Sequence, residues 1–578
     1  MHNKDILLAK APFKMGEIKM YQITFSFSAI ERILNDIYVD SNSLYTEDIG
    51  YGFVVERNRN EQELLQIPEL NAAFSPWYWD AGKELTKLVD TATGVAVEGE
   101  MLVPLTFKMK VPSHGNYHLS LIVSADSYGC EKLTIFTGRR RLAVHDMIVL
   151  PNTKTTIELI VNVCDIIPRG KETVYEDTTL DITVFGSHVS ISCLKVEAVD
   201  VPTIFIAGDS TVTDQSGTYP YDPGCCFGGW GQMISAYLTS NVAVSNHAHS
   251  GLTTESFRSE GHYGIVSQNI KPGDFYLMQF GHNDQKLPEL SAGVGYRNNL
   301  IRYIHEMRNR GVQPVIVTPI ARNTWKADGT YNDLLAEYAA ECFRIGKEYQ
   351  VPVIDLHKFS MDFVKKEGLE SAKRYYYPKD YTHTNDFGAY LMAGYIAFEL
   401  TKLPEIKMYI KKEPMADWTP PLIVALPALP KGFEREAISK IPKENDLERP
   451  QEIIMRVEFL DYLIKVVGYV PMNVYNDMYS DVIGHEWYAG IVEVSYQNSL
   501  VNDKYTVGGM FYPTESVTWE QLVSFSANGY KSRKAAALKE DDVSLFKKIG
   551  IIEDNYQAEK VVTRLEALQA LKKLEGVL

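Results

Sequence analysis

The rhythm of hydrophobic positions changes more than once along this chain. Up to about residue 200 it consists of short β-branched or alternating runs: Leu102 to Lys110, His118 to Ser124, Lys132 to Phe136, Thr156 to Val163, Leu180 to Val184 and Val189 to Val196. Turn signals such as Pro112-Ser113-His114-Gly115 and Ile167-Pro168-Arg169-Gly170 separate them. Short strands at this spacing predict a β-sandwich or jelly roll over residues 1–200. From Pro202 the pattern alternates strand and helix. Strands are predicted at Ile204 to Ala207, Val242 to Asn246, Phe275 to Phe280, Pro314 to Thr318 and Pro352 to Asp355. Helical patterns fall at Trp230 to Leu238, Gly261 to Asn269, Tyr296 to Arg308, Tyr331 to Glu348 and Asp386 to Leu400. Such alternation predicts a parallel sheet with helices on both faces, a three-layer α/β/α domain over residues 201–401.

Eight of the 26 prolines fall between Pro404 and Pro450, so residues 402–450 read as a semi-extended linker. Residues 451–578 return to helical patterns, opening at Met455-Arg456-Val457-Glu458-Phe459, Thr518-Trp519-Glu520-Gln521-Leu522 and Thr563-Arg564-Leu565-Glu566-Ala567, and form a C-terminal α-helical domain.

The length of 578 residues requires two to four domains. A net charge of −16 argues against a nucleic-acid partner, because phosphate binding is dominated by Lys and Arg. No stretch reaches the roughly 18 apolar residues that span a bilayer, so no membrane partner is expected. The first 21 residues hold only Ile6-Leu7-Leu8-Ala9 as an apolar core, short for a signal peptide. With six cysteines and no C-x-x-C pair, free thiols and a cytoplasmic location are expected. A removed leader would instead place the chain outside the cell or on its surface.

The chemistry concentrates in four blocks. Gly208-Asp209-Ser210-Thr211 follows an apolar run, where open α/β sheets place their active sites. Asn246-His247-Ala248-His249-Ser250-Gly251, Gly281-His282-Asn283-Asp284 and Asp380-Tyr381-Thr382-His383 follow in order. Ester hydrolysis through serine needs a nucleophile, a base to take its proton, and donors for the developing oxyanion. Ser210 is the candidate nucleophile. His383 is the candidate base, and Asp380, three residues earlier, can fix its tautomer by accepting the Nδ1 proton. The Gly-x-Ser-x-Gly elbow of ordinary α/β-hydrolases is absent. His247, His249 and His282 could suggest a three-histidine metal site, but hydrogen-bonding and shaping roles are preferred, and no metal and no cofactor are expected. The aromatic run Phe74-Ser75-Pro76-Trp77-Tyr78-Trp79 reads as a sugar platform or an aromatic plug.

The four blocks, with serine first and Asp-x-x-His last, resemble the SGNH (GDSL-type) hydrolases. Gly229-Trp230-Gly231-Gln232 and Phe280-Gly281-His282-Asn283-Asp284 are similar to the rhamnogalacturonan acetylesterase branch of carbohydrate esterases. That resemblance implies an oxyanion hole of the Ser210 and Gly251 backbone N–H groups and the Asn283 side chain. Substrate contacts are assigned to His282, Asp284 and Trp230. The resemblance also implies a galactose-binding-like sandwich before the catalytic domain, and an acetylated carbohydrate substrate. Leu252 stands where many members have arginine, which leaves room for neutral acetylated glycans. The C-terminal segment, with Tyr479-Ser480-Asp481-Val482, His485-Glu486-Trp487-Tyr488 and the Thr-Arg-x-Glu start at Thr563, resembles degenerate S-layer homology repeats. These imply cell-wall glycan binding, or self-association as a packing module. The expected function is a carbohydrate O-acetylesterase. The alternatives are a lipase or thioesterase on the same fold, and a non-catalytic cell-wall-binding protein.

Overall fold

In the computed structural model the described residues are 21–30, 35–54, 77–79, 87–98, 104–167, 173–215, 217–219, 221–325, 330–378, 380–412, 417–421, 441–469, 471, 478–479, 481–482, 486–534, 541–553 and 555–578. Phe74 to Pro76, Ser480, His485, Leu102 and most of the proline-rich segment lie outside them. By proximity of Cα atoms the chain forms two compact units. One holds residues 1–320, 335–362 and 383–424, and the other 321–334, 363–382 and 425–578. Residues on either side of position 200 thus belong to one unit.

In the first unit the strands run β1 (Gln22–Ser26), β2 (Ile37–Tyr38), β3 (Tyr51–Val54), β4 (Trp77–Trp79), β5 (Leu88–Thr91), β6 (Gly94–Val97), β7 (Leu105–Lys110), β8 (Gly115–Ala125), β9 (Cys130–Thr137), β10 (Arg141–Val149), β11 (Lys154–Val163), β12 (Thr179–Phe185) and β13 (Val189–Val199). One sheet has the order β11-β8-β13-β1-β2, with β6 also on β13 and β5 on β6. A second has the order β10-β9-β12-β7-β3. Side chains from both sheets share one apolar core. In β8 the period of two buries Tyr117, Leu119, Leu121 and Val123. In β13 a register shift between Ile191 and Cys193 moves the core face from Ile191 to Leu194 and Val196, as a bulge must.

The next strands are β14 (Thr203–Gly208), β15 (Gly217–Tyr219), β16 (Ala243–Asn246), β17 (Phe275–Gln279), β18 (Gln313–Val317) and β19 (Val353–Ile354). All but β15 form a parallel sheet of order β16-β14-β17-β18-β19. Every residue of β14 and β17 is buried, the signature of a sheet covered on both faces. Helices His262–Asn269, Arg297–Asn309, Ala336–Tyr349 and Asp386–Leu400 match the sequence pattern. The pattern at Trp230 to Leu238 splits into an α-turn Trp230–Met233 and a 3-10 turn Ile234–Tyr237. Helical turns over Leu356–Ala372, interrupted at Gly368 with φ +75°, were not anticipated. β15 pairs with β4, which joins the backbone of Trp77–Trp79 to the loop after Ser210.

In the second unit, helices Arg456–Val466, Ala489–Gln497, Trp519–Lys534, Asp542–Lys548 and Arg564–Glu575 share one core. Single β-bridges Ile453–Thr563, Met455–Ser516 and Thr518–Val561 tie together the starts of the three helical patterns. The Arg564 guanidinium meets the buried Glu458 carboxylate at 2.6 Å. Among the described residues no helix is long and apolar enough to cross a membrane.

Candidate active site

Ser210 sits just past the C-terminal end of β14. Its turn is built by Asp209, which is fully buried. Asp209 Oδ1 accepts the Thr211 amide at 2.9 Å and the Thr211 hydroxyl at 2.7 Å. The other oxygen faces His282 Nδ1 at 3.2 Å. Burial works against the Asp209 charge, but His282 and the Thr211 donors hold its pKa below the usual carboxylate range. Glycine is required at 208, because a Cβ there would lie 2.8 Å from the Gln279 carbonyl oxygen and 2.7 Å from Val212.

His383 Nε2 lies 2.7 Å from Ser210 Oγ, and the Phe227 ring stands edge-on to the imidazole at 5.7 Å. Both side chains are only partly covered, as a nucleophile and base that meet a substrate must be. The chain beyond His383 is fixed firmly. The Thr384 hydroxyl donates to the Gly228 carbonyl at 2.7 Å, and Asn385 caps the helix Asp386–Leu400 by accepting the Gly388 amide at 3.1 Å. Asp380 is buried, and its Oδ1 accepts the Thr382 amide at 2.8 Å.

The second block folds against the first. The His249 amide donates to the Gly208 carbonyl at 3.2 Å. Asn246 Nδ2 donates to the Val212 carbonyl at 2.9 Å and to Asp214 Oδ1 at 2.8 Å. Gly251 has φ +84°, a left-handed conformation that favours glycine, with open space where a Cβ would stand. Asn283 Nδ2 donates to the Leu252 carbonyl at 3.0 Å, so the third block reaches the residue after Gly251. An amide has two such donors, which leaves the second N–H for another acceptor.

Two buried arginines missed by the sequence reading organise this region. Between β9 and β10 the chain turns through Gly138-Arg139-Arg140-Arg141. Arg140 is fully buried and donates to Asp386 Oδ2 at 2.5 Å, the Phe227 carbonyl at 2.5 Å, the Gln215 carbonyl at 3.0 Å and Gln232 Oε1 at 3.2 Å. The Tyr221 hydroxyl also donates to Asp386 Oδ2, at 2.7 Å. Burial opposes the Arg140 charge, but Asp386 outweighs it and raises the guanidinium pKa. Arg141 donates to Asp214 Oδ2 at 2.9 Å and to the Val244 carbonyl at 2.9 Å. Three arginines in a row within an acidic chain were the available signal.

The profile of the GDSL-like Lipase/Acylhydrolase family matches residues 206–390, the segment that holds all four blocks. "Rhamnogalacturonan acetylesterase RhgT" of Bacillus subtilis (strain 168) is 33% identical over 213 residues, 35% of this chain and 90% of that protein. This chain belongs to the GDSL-type hydrolases. It is a carboxylic-ester hydrolase. "Uncharacterized esterase YxiM" of the same organism is 24% identical over 396 residues, 67% of this chain and 92% of that one. The crystal structure of YxiM superposes with a TM-score of 0.34 at 20% identity, covering 66% of this chain and 98% of that one.

Three residues expected to touch substrate in this hydrolase lie in its interior, which corrects that assignment. Trp230 is 1% exposed, and its Nε1 donates to Gln279 Oε1 at 2.8 Å. His282 is 1% exposed and spans Asp209 and the Ile320 carbonyl, the latter 3.0 Å from Nε2. Asp284 is fully buried. Its Oδ1 accepts the Thr254 amide at 3.0 Å and the Thr254 hydroxyl at 2.5 Å. His247 is buried with Nε2 2.9 Å from the Ser245 hydroxyl, and burial pushes its pKa down to about 3. His249 lies 5.1 Å from the His262 ring. Among the described residues no three His, Cys, Asp or Glu side chains converge on a metal position.

These interior roles have measurable consequences. Trp230→Phe should lower the unfolding free energy by about 1–2 kcal/mol through the orphaned Gln279 acceptor. KM for a small ester should stay as in the wild type, since no substrate contact is lost. Burial, with the nearby Asp209 charge, pushes the Asp284 carboxyl up to about 7. A folded chain that holds this proton more tightly than the unfolded one is stabilised while the acid is protonated. That contribution is full below the unfolded pKa of about 3.9 and is lost as pH rises through about 7. The thermal midpoint of the wild type should therefore fall between about pH 4 and 7 relative to Asp284→Asn. Parallel pH profiles for the two proteins would contradict this.

Proposed function

We propose that this hydrolase removes O-acetyl groups from plant cell-wall polysaccharide or oligosaccharide of the rhamnogalacturonan or pectin type. The observation that carries the chemistry is the 2.7 Å contact between Ser210 Oγ and His383 Nε2 at the C-terminal end of β14. Ser210 attacks the acetyl carbonyl while His383 takes its proton. The tetrahedral intermediate draws on the Ser210 and Gly251 N–H groups and the second Asn283 Nδ2–H. Its collapse releases the sugar hydroxyl with the proton from His383. Water, deprotonated by His383, then frees acetate and restores Ser210. Asp380 is given the orienting role on its three-residue spacing to His383. No step needs a cofactor.

The sugar class is supported by the relatives. Besides RhgT, "Probable rhamnogalacturonan acetylesterase YesY" of Bacillus subtilis (strain 168) is 31% identical over 208 residues, 35% of this chain and 93% of that one. On this reading the N-terminal strands are a galactose-binding-like accessory layer. The helices of residues 451–578 serve glycan binding or self-association. The test is acetate release from acetylated pectin, xylan and mannan oligosaccharides, with a long-chain p-nitrophenyl ester as comparison. Release from acetylated pectin fragments is expected to dominate. Preference for the long-chain ester would replace this reading with a lipase-type one.

A further inference from the structure

The third block runs into a short 3-10 turn, Asp284–Lys286, that begins directly after Asn283. In such a turn the side chains at i and i+3 eclipse one another. The order Asn283-Asp284-Gln285-Lys286 therefore brings the Lys286 side chain over that of Asn283. The turn is held on several sides. The Lys286 amide donates to the Asn283 carbonyl at 3.1 Å, and the Gln285 amide to the Gly281 carbonyl at 3.1 Å. Asp284, fully buried at its start, is tied to Thr254. The place of the Lys286 side chain is thus set by the fold.

The Lys286 ammonium donates to Asn283 Oδ1 at 3.2 Å, while Asn283 Nδ2 donates to the Leu252 carbonyl at 3.0 Å. An ammonium can only donate, and a carbonyl can only accept. The two contacts therefore read opposite ends of the amide. Turning the amide over would set its NH2 group against the ammonium and its oxygen against the Leu252 carbonyl. Two hydrogen bonds would become two repulsive contacts. Nδ2 is in this way kept on the side of Leu252 and of its neighbour Gly251.

The charge acts on the same amide. A cation at the oxygen draws electron density from the nitrogen, and linked hydrogen bonds strengthen one another. The N–H of Asn283 becomes a better donor. Asn283 is buried and Lys286 half-buried, so salt and water screen the pair less than on an open surface.

We propose that Lys286 is a positioning residue for ester hydrolysis, which holds the Asn283 amide in the orientation that offers Nδ2–H to the oxyanion and polarises that donor. The proposal rests on the reading of Asn283 as an oxyanion donor. It is independent of the sugar that carries the ester.

Steady-state hydrolysis of p-nitrophenyl acetate by the wild type, Lys286→Met, Asn283→Ala and the double variant tests it. Asn283→Ala should lower kcat about a hundredfold or more, the size of a lost oxyanion donor. Lys286→Met should lower kcat about fivefold to tenfold, as a partly screened charged hydrogen bond would. KM should stay within about twofold, since the donor is tightened for the transition state and not for the bound ester. In the Asn283→Ala background the same substitution should change kcat by less than about twofold, because the group it acts through is gone. Lys286→Arg keeps a donor and the charge and should recover most of the loss. Should Lys286→Met fail to fold, Lys286→Gln is read in the same two backgrounds, with a loss of kcat expected only where Asn283 is present. The proposal is overturned if kcat is unchanged in the position 286 variants, if the loss lies in KM, or if it is as large without Asn283. A large loss in Asn283→Ala beside wild-type turnover in Lys286→Met removes the positioning role alone. Wild-type turnover in Asn283→Ala removes the oxyanion reading itself, and the role of Lys286 with it.

Discussion

Ser210→Ala should cut turnover of p-nitrophenyl acetate by about four decades or more, with the circular dichroism spectrum and unfolding midpoint unchanged. The size follows from the geometry. Ser210 Oγ is the group 2.7 Å from His383 Nε2, and the chain has no nucleophile elbow elsewhere to take over. The side chain is part-exposed at the end of a strand, so its loss removes no core packing. Michaelis parameters for the variant, after a check for wild-type contamination, decide the matter. Activity within a few-fold of wild type would rule out Ser210 as the nucleophile.

Arg140→Met should destabilise the fold by about 3–5 kcal/mol, the usual result of stripping one partner from a buried ion pair. Asp386 would be left fully buried beside Tyr221, and the backbone carbonyls of Phe227 and Gln215 would each lose one donor, Gln215 keeping Gln232 Nε2. The double variant Arg140→Met, Asp386→Leu should recover much of that loss, because an apolar pair of similar volume removes the stranded charge. Urea unfolding of the wild type, both single variants and the double variant measures the coupling. A loss below about 1 kcal/mol in Arg140→Met would mean that water solvates Asp386 and that the pair is not a structural lock. Activity should fall with stability, since Asp386 opens the helix that follows His383.

The parallel sheet was the easiest part of the fold to read. Its strands are buried on both faces, so Thr203–Gly208 and Phe275–Gln279 appear as unbroken apolar runs. β10 was not foreseen, because two polar residues, His145 and Asp146, interrupt its alternation and three register irregularities shift its facing side. The pattern at Trp230 to Leu238 is an α-turn that runs into a 3-10 turn, and in it Gly231 passes so close to Asn246 that a Cβ would lie 2.7 Å from its Nδ2. Packing of that kind leaves no periodic trace. Ser210 and His383 were legible from residue type and order. The interior placement of Asp284 was not, because motif membership does not say which way a side chain faces. Arg140 was missed for the opposite reason. Its partner lies 246 positions away, and no local pattern encodes such a pairing.

That separation also sets a schedule for synthesis. The Gly-Arg-Arg-Arg turn leaves the ribosome long before Asp386 does. At about 5–20 residues per second, the 246 intervening positions take roughly 12–50 s to translate. For that time a guanidinium destined for complete burial has no carboxylate to meet. The early strands must wait, hydrated or held by a chaperone, for the last helix of the hydrolase. That ion pair can close only after the aspartate has been made.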